Sequence, residues 1–251
     1  MKFQQEYPIR IYDCSPNGKQ SFSSILNYMQ DVASLHTVEL NITIPELLKL
    51  GYTWMLSRYH VVIEQYPVYM DTVNISTWIA EHKGLFSIRD YSMQDKDGHI
   101  QARMTSSWVL YDIKNKNIAI VDEVLPMNNI LSERAIQDSF PKLPLPEKVD
   151  QQFQFQVRKH DLDINRHVNN RVTVEWALEA IPFEITKTHE LHELEITFKG
   201  QAFYGDSIDS KCQIISTEEQ YTGIHHIING RNGQSIARVR SQWKKGTPGI
   251  F

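Results

Sequence analysis

The sequence predicts an α+β chain made of two like units in tandem, each a long helix wrapped by an antiparallel sheet. Three observations lead there. The hydrophobic period changes from 3.6 to two after one amphipathic stretch, the same order of elements returns after a proline-bearing polar segment, and two sequence offsets superpose the halves with element type preserved. At 251 residues, with 41% apolar and 22% charged residues, the chain is long enough for one large core or two ordinary ones. Its 11 Gly and 10 Pro exclude collagen-like repeats, and its apolar content excludes disorder.

Phe22, Ile25, Leu26, Met29, Val32, Ala33 and Leu35 recur at three- and four-residue intervals behind Ser21, which places a capped helix over Ser21 to His36. A short helix is expected from Thr43 to Leu50, with Pro45 in its first turn and Gly51 as the stop. The period then becomes two. Met55, Ser57, Tyr59, Val61 and Ile63 share one side of a strand, and Val73, Ile75, Thr77 and Ile79 one side of the next. Leu85 to Met93 and Ile100 to Asp112 follow as strands about the turn residues Asp95, Lys96, Asp97 and Gly98.

From Asn128 to Asp150 the pattern dissolves into a polar segment with Pro141, Pro144 and Pro146, read as a linker between repeats over 1–127 and 151–251. Gln152 to Arg158 then alternates Gln with Phe153, Phe155 and Val157 as a strand. Asn169 to Ile181 reads as a helix closing before Pro182, and strands are expected near Leu191 to Lys199, Ser207 to Ser216, Tyr221 to Asn229 and Ser235 to Trp243. An offset of 148 pairs Arg10, Asp13 and Asn17 with Arg158, Asp161 and Asn165. An offset of 135 pairs Tyr69 and Asp71 with Tyr204 and Asp206.

The segment DLDINRHVNN, Asp161 to Asn170, enters the second long helix. In an extended approach Asp163, Asn165 and His167 project to one side, bringing a carboxylate, an amide and an imidazole together. The helix start adds backbone N–H groups and the positive end of a dipole for a developing oxyanion. Those are the parts needed to hydrolyse an acyl bond with water, since GxSxG is absent and neither cysteine lies in the loop. An Asp/Asn-rich loop is ordinarily a turn and an N-cap. Against that, the matching loop of the first half has Ser15, Asn17 and Lys19, and reaches its helix without the acid or the imidazole.

With those residues in view, the chain resembles the acyl-acyl carrier protein thioesterases of bacteria and plant plastids, a family with a tandem double hotdog fold. The likeness rests on DxNxHVNN at Asp163 to Asn170, followed by Glu175, Trp176, Glu179 and Pro182. It also draws on RDY at Arg89 to Tyr91, SSWVL at Ser106 to Leu110, YPVYMD at Tyr66 to Asp71 and FKGQAFYGD at Phe198 to Asp206, and spans about Phe3 to Trp243. The resemblance implies that Asp163, Asn165 and His167 are catalytic, that the substrate is a fatty acyl thioester of acyl carrier protein, and that hydrolysis ends fatty acid synthesis. Family members often carry a glutamate in a YRRE or YKKE pattern, and the matching position here is Gln201, which cannot act as a base but can orient a water or the Asn165 amide. A thioesterase acting on coenzyme A esters and a non-catalytic acyl-binding protein remain open beside the main reading.

The remaining expectations are smaller. Met29, Trp54, Met55 and Leu56 are candidate liners of an acyl tunnel in the first half, and equally ordinary core. Arg238, Arg240, Gln242 and Lys244 alternate with Ala237, Val239, Ser241 and Trp243, giving either an outward sheet face or a contact for an acidic carrier. Arg89 and Asp90 read as solvated or paired strand charge. His225 and His226 face opposite sides of a strand, with no ligand set near them, and no phosphate loop occurs, so neither a metal nor a cofactor is expected. Cys14 and Cys212 read as reduced thiols. The net charge of −4 argues against nucleic acid, no stretch is apolar enough to span a membrane, and Met1 to Asp13 carries no targeting signal, so a cytoplasmic protein is expected. Homodimer and monomer both stay open, because the repeat already supplies two units in one chain.

Overall fold

The computed structural model describes residues 2–125 and 129–247, in two compact units, one within Met1–Ser139 and one within Phe140–Pro248. In the first, β1 (Phe3–Pro8) leads to α1 (Phe22–Glu39), α2 (Ile44–Lys49), β2 (Tyr52–Ile63), β3 (Thr72–Lys83), β4 (Phe86–Gln94) and β5 (Ile100–Asp112), then to a short β6 (Asn117–Ala119) and one helical turn, α3 (Val121–Val124). The strands pair antiparallel in the order β1-β3-β4-β5-β2, and β6 joins β5 beyond the point where β4 stops.

Helix α1 starts where the Ser21 hydroxyl accepts the Ser24 N–H at 3.2 Å, satisfying one of the donors a helix start leaves unpaired. Ile25, Met29 and Val32, at i, i+4 and i+7, are fully buried, and α1 packs on β1 and β3. Each such side chain contributes about 1.5–3 kcal/mol by leaving water, which fixes the helix against the sheet. Helix α2 is closed by a capping box in which Glu46 accepts the Thr43 N–H at 2.8 Å, and it stops at Gly51, whose φ of +86° suits a residue without Cβ. Leu47 then packs with Ile42, Leu110, Val121 and Leu125 in a second, smaller core against which Trp54 rests.

The second unit runs β7 (Gln151–Gln156), α4 (Asn170–Leu178), α5 (Phe183–Thr186), β8 (His189–Phe198), β9 (Ser207–Ser216), β10 (Gln220–Asn229) and β11 (Ser235–Lys245). Its order, β8-β11-β10-β9-β7, is the first unit's order with each strand replaced by its counterpart. Helix α4 packs on β9, β10 and β11, its Trp176 ring stacks on Phe155, and its Trp176 carbonyl accepts the buried Ser210 hydroxyl at 2.7 Å. A sheet bent round a central helix is the hotdog fold, and the chain holds two in tandem. No helix among the described residues is long and apolar enough to cross a membrane.

Several expectations are corrected. The helix read over Asn169 to Ile181 ends at Leu178, because Ala180 and Ile181 donate to the carbonyls three residues back, tightening the last turn, and Pro182 then opens α5. The short elements α3, α5 and β6 lack the length to show a period. Phe153, one of the apolar residues of the Gln152 to Arg158 alternation, is 41% exposed. The segment read as a linker begins at Asn128, outside the described residues, and several of its later residues are hydrogen-bonded to the units. In the first unit Leu131 N–H donates to the Ile79 carbonyl at 2.9 Å, and the Trp78 indole to the Glu133 carbonyl at 2.8 Å. In the second, Glu147 N–H donates to Gln213 Oε1 at 2.9 Å, and Asp150 Oδ2 accepts the Ile214 N–H at 2.9 Å.

Arg89 and Asp90 are not solvated either. Both are buried, on opposite faces of β4. Asp90 accepts from Thr105 at 2.5 Å, Arg134 Nε at 3.0 Å and Ala135 N–H at 2.6 Å, which ties Arg134 and Ala135 to the sheet. Arg89 bonds Thr77 Oγ1 at 3.2 Å and His36 Nδ1 at 2.9 Å. Burial and the Arg89 charge push the His36 imidazole down to about 4, so it is neutral and accepts.

Candidate functional site

The two loops that enter the long helices share five hydrogen bonds at matching positions. In the second unit Asp161 Oδ2 accepts the Arg158 N–H at 2.7 Å and the Asp161 carbonyl accepts the Asn169 N–H at 2.8 Å. Asp163 N–H donates to His167 O at 2.8 Å, Arg166 N–H to Asp163 O at 3.0 Å, and Val168 N–H to Ala202 O at 3.0 Å. In the first unit the same five bonds join Arg10 to Asp13 at 3.0 Å, Ser21 to Asp13 at 2.8 Å, Ser15 to Lys19 at 2.8 Å, Gly18 to Ser15 at 2.9 Å and Gln20 to Pro67 at 2.7 Å. The offsets of 148 and 135 are therefore physical. Gly18 sits at φ +75° and its counterpart Arg166 at φ +63°, so the second unit holds a residue with a Cβ in a conformation that disfavours one.

This geometry corrects the expectation of an extended approach. The chain turns back between Asp163 and His167, and the half-buried Asp163 carboxylate braces that turn, its Oδ1 accepting the Asn165 N–H at 2.8 Å and the His167 N–H at 3.2 Å. Asp163 Oδ2 and both ring nitrogens of His167 make no hydrogen bond to protein among the described residues, which leaves them for a substrate or a water. Asn165 is exposed, and His167 is half-buried with its ring edge-on to Phe203 at 5.1 Å and 87°. Gln201 is exposed and adjoins Ala202, whose carbonyl ties this segment to the loop.

The helix start is less open than expected. Asn169 caps it by accepting the Arg171 N–H on its side chain at 2.9 Å, and its carbonyl accepts from Val172 at 2.9 Å and Thr173 at 3.3 Å. In the first unit Asn17 Oδ1 accepts the Lys19 N–H at 3.1 Å, so a neutral amide supports the same loop shape. The shape therefore demands neither the carboxylate nor the imidazole of the second unit.

Sequence reasoning missed the apolar residues around His167. Ile164 is 86% exposed, Tyr204 61% and Phe203 49%, an unusual exposure of large apolar groups beside a polar loop. The aromatic pair in FKGQAFYGD was the available signal. Of the candidate tunnel liners, Met29 is core, Trp54 rests on the smaller core, and Met55 and Leu56 are half-buried on β2.

The basic stripe alternates as expected, with Ala237, Val239, Ser241 and Trp243 buried. Two of its charges are engaged, however. Arg240 is ion-paired with its cross-strand partner Glu195, with Glu193 at 3.9 Å, and Arg238 donates to the Leu143 carbonyl at 3.1 Å. Lys244 is the exposed cation of the stripe. His225 lies buried with Nε2 2.8 Å from Ser241 Oγ, and burial pushes its imidazole down to about 3. His226, on the other face, bonds Ser235 at 3.0 Å. Asp95, Asp97 and His99 are close enough to hold an ion, but Asp95 Oδ1 already closes that turn by accepting the Asp97 and His99 N–H groups, each at 2.9 Å.

Two hotdog units in one chain, with an acid–amide–imidazole loop in the second alone, define a double-hotdog protein with one specialised half. Residues 1–127 match the acyl-ACP thioesterase N-terminal domain and residues 146–245 the C-terminal domain, and the chain belongs to the acyl-ACP thioesterase family. An acyl-[acyl-carrier-protein] hydrolase of Cuphea viscosissima is 28% identical over 99% of this chain, which spans 64% of that protein's length. The 12:0-ACP thioesterase from Umbellularia californica superposes with a TM-score of 0.87 at 25% identity, over 98% of each chain. An acyl-ACP thioesterase from Bacteroides thetaiotaomicron shares the fold, with a TM-score of 0.85 at 20% identity over 97% of this chain and 98% of that one.

Proposed function

We propose that the chain hydrolyses fatty acyl thioesters of acyl carrier protein to free fatty acid and carrier, with chemistry in the second unit and acyl-chain selection in the first. One observation carries the reading. The two units share five hydrogen bonds of the loop, yet the second adds Asp163 and His167 where the first has Ser15 and Lys19. The names of the relatives supply the substrate class.

In this reading Asp163 Oδ2 or a His167 ring nitrogen takes the proton of a water as its oxygen bonds to the thioester carbonyl carbon. The tetrahedral intermediate then collapses with loss of the C–S bond, and the thiolate leaves with that proton returned by the same group that took it. In this reading Asn165 and Gln201 are the amides that orient the water or the carbonyl. Gln201 cannot replace a glutamate as base, so the proton transfers fall to Asp163 and His167.

The test is release of free thiol from one acyl chain carried on acyl carrier protein and on coenzyme A. Faster turnover on the carrier supports the proposal, and preference for coenzyme A assigns the other thioester. Hydrolysis no faster than a blank, with the acyl chain retained, makes this a binding protein.

A further inference from the structure

We propose that Phe203 is a positioning residue for His167, its ring holding the imidazole in the orientation used for proton transfer; this rests on the hydrolase reading above. The phenyl ring meets the imidazole edge-on at 5.1 Å and 87°, a favoured geometry for two aromatic rings. At 49% exposure Phe203 buries too little to be explained as core. Its backbone is nonetheless fixed. Phe203 N–H donates to Asp206 Oδ2 at 3.0 Å, Asp206 N–H returns to the Phe203 carbonyl at 3.0 Å, and Gly205 at φ +81° donates to Val157 O at 3.1 Å while its carbonyl accepts Arg231 Nη2 at 2.7 Å. One residue earlier, the Ala202 carbonyl accepts the Val168 N–H, so the turn and the His167 loop are registered to each other.

The first unit supplies the control. Val68 N–H donates to Asp71 Oδ2 at 2.9 Å, Asp71 N–H to Val68 O at 3.0 Å, and Met70 at φ +73° to Ile9 O at 3.1 Å. The same turn there presents Val68, bridged to Lys19, so the turn needs no aromatic ring for its own sake. The ring occurs in the unit that has an imidazole to hold. A half-buried imidazole on a loop rotates about its terminal torsion, and a ring against one edge narrows that range, which favours turnover without adding substrate affinity.

The experiment compares wild type, Phe203→Leu and Phe203→Tyr in the full chain, each also with His167→Ala, measuring kcat and KM on acyl-acyl carrier protein alongside thermal melting. Phe203→Leu should lower kcat up to about tenfold with KM within about twofold and melting lower by no more than a few degrees, the size of one aromatic pair's coupling. Phe203→Tyr should keep kcat within about twofold of wild type, and in the His167→Ala background Phe203→Leu should change nothing further. An active wild type with an unimpaired Phe203→Leu variant, a Tyr variant as slow as Leu, or an equal loss without His167 would overturn the assignment. A wild type that does not hydrolyse the substrate would instead overturn the functional reading, and this role with it.

Discussion

Asp163 braces its loop in the structure and serves as a base in the proposed reaction, and two substitutions separate these tasks. Its Oδ1 braces the loop through hydrogen bonds of 2.8 and 3.2 Å, while Oδ2 is open for chemistry. Hydrogen bonds to a charged acceptor are worth about 1.5–3 kcal/mol when shielded, and this loop is half in water, so the pair is worth on the order of 1–2 kcal/mol in total. Asp163→Asn keeps an oxygen at the bracing position and should cost under about 1 kcal/mol. Asp163→Ala loses both bonds and should cost the full amount, a fall of about 2–8 °C in the melting of the chain. In turnover the order differs: both variants lose the carboxylate base and should fall by on the order of 10² or more. The assay pairs calorimetric melting with thiol release from acyl-acyl carrier protein. An Asn variant that melts normally and turns over within about threefold of wild type would refute the reasoning, because the carboxylate would then be only a brace.

Three further outcomes follow from the packing and the charges. A Cβ built on Gly223 would lie 2.4 Å from His225 Nε2 and 2.6 Å from Ser241 Oγ, so Gly223→Ala should destabilise the protein by about 1–3 kcal/mol in a denaturant titration. His36 and His225 titrate at about 4 and about 3 when folded, below their ordinary 6.5, so the unfolded chain binds more protons below 6.5. Stability should be full above about pH 6.5 and fall as the pH drops toward 4 and then 3, and His225→Gln should flatten that slope in melting curves taken across pH. Because Arg240 is held by Glu195, the clean probe of carrier docking is Lys244→Glu, which should raise KM for the carrier-bound substrate more than for a coenzyme A ester; equal effects would assign the lysine to solvation.

Local periodicity determined much of this protein. Ile25, Met29 and Val32 at helical spacing, the alternation along β9, β10 and β11, and the Thr43–Glu46 cap are written in neighbouring residues, because each element's buried face follows from its own repeat distance. The tandem repeat and the loop with Asp163, Asn165 and His167 were legible for the same reason, as short patterns at fixed offsets. Tertiary structure decided what depends on residues far apart in the chain. Only the fold shows that Asp163 turns inward to brace its loop, that Phe203 comes from 36 positions away to face His167, that Arg240 belongs to Glu195, and that Asp90 is buried against Arg134. Side-chain pairing and burial are set by which strands become neighbours, and no local period carries that information.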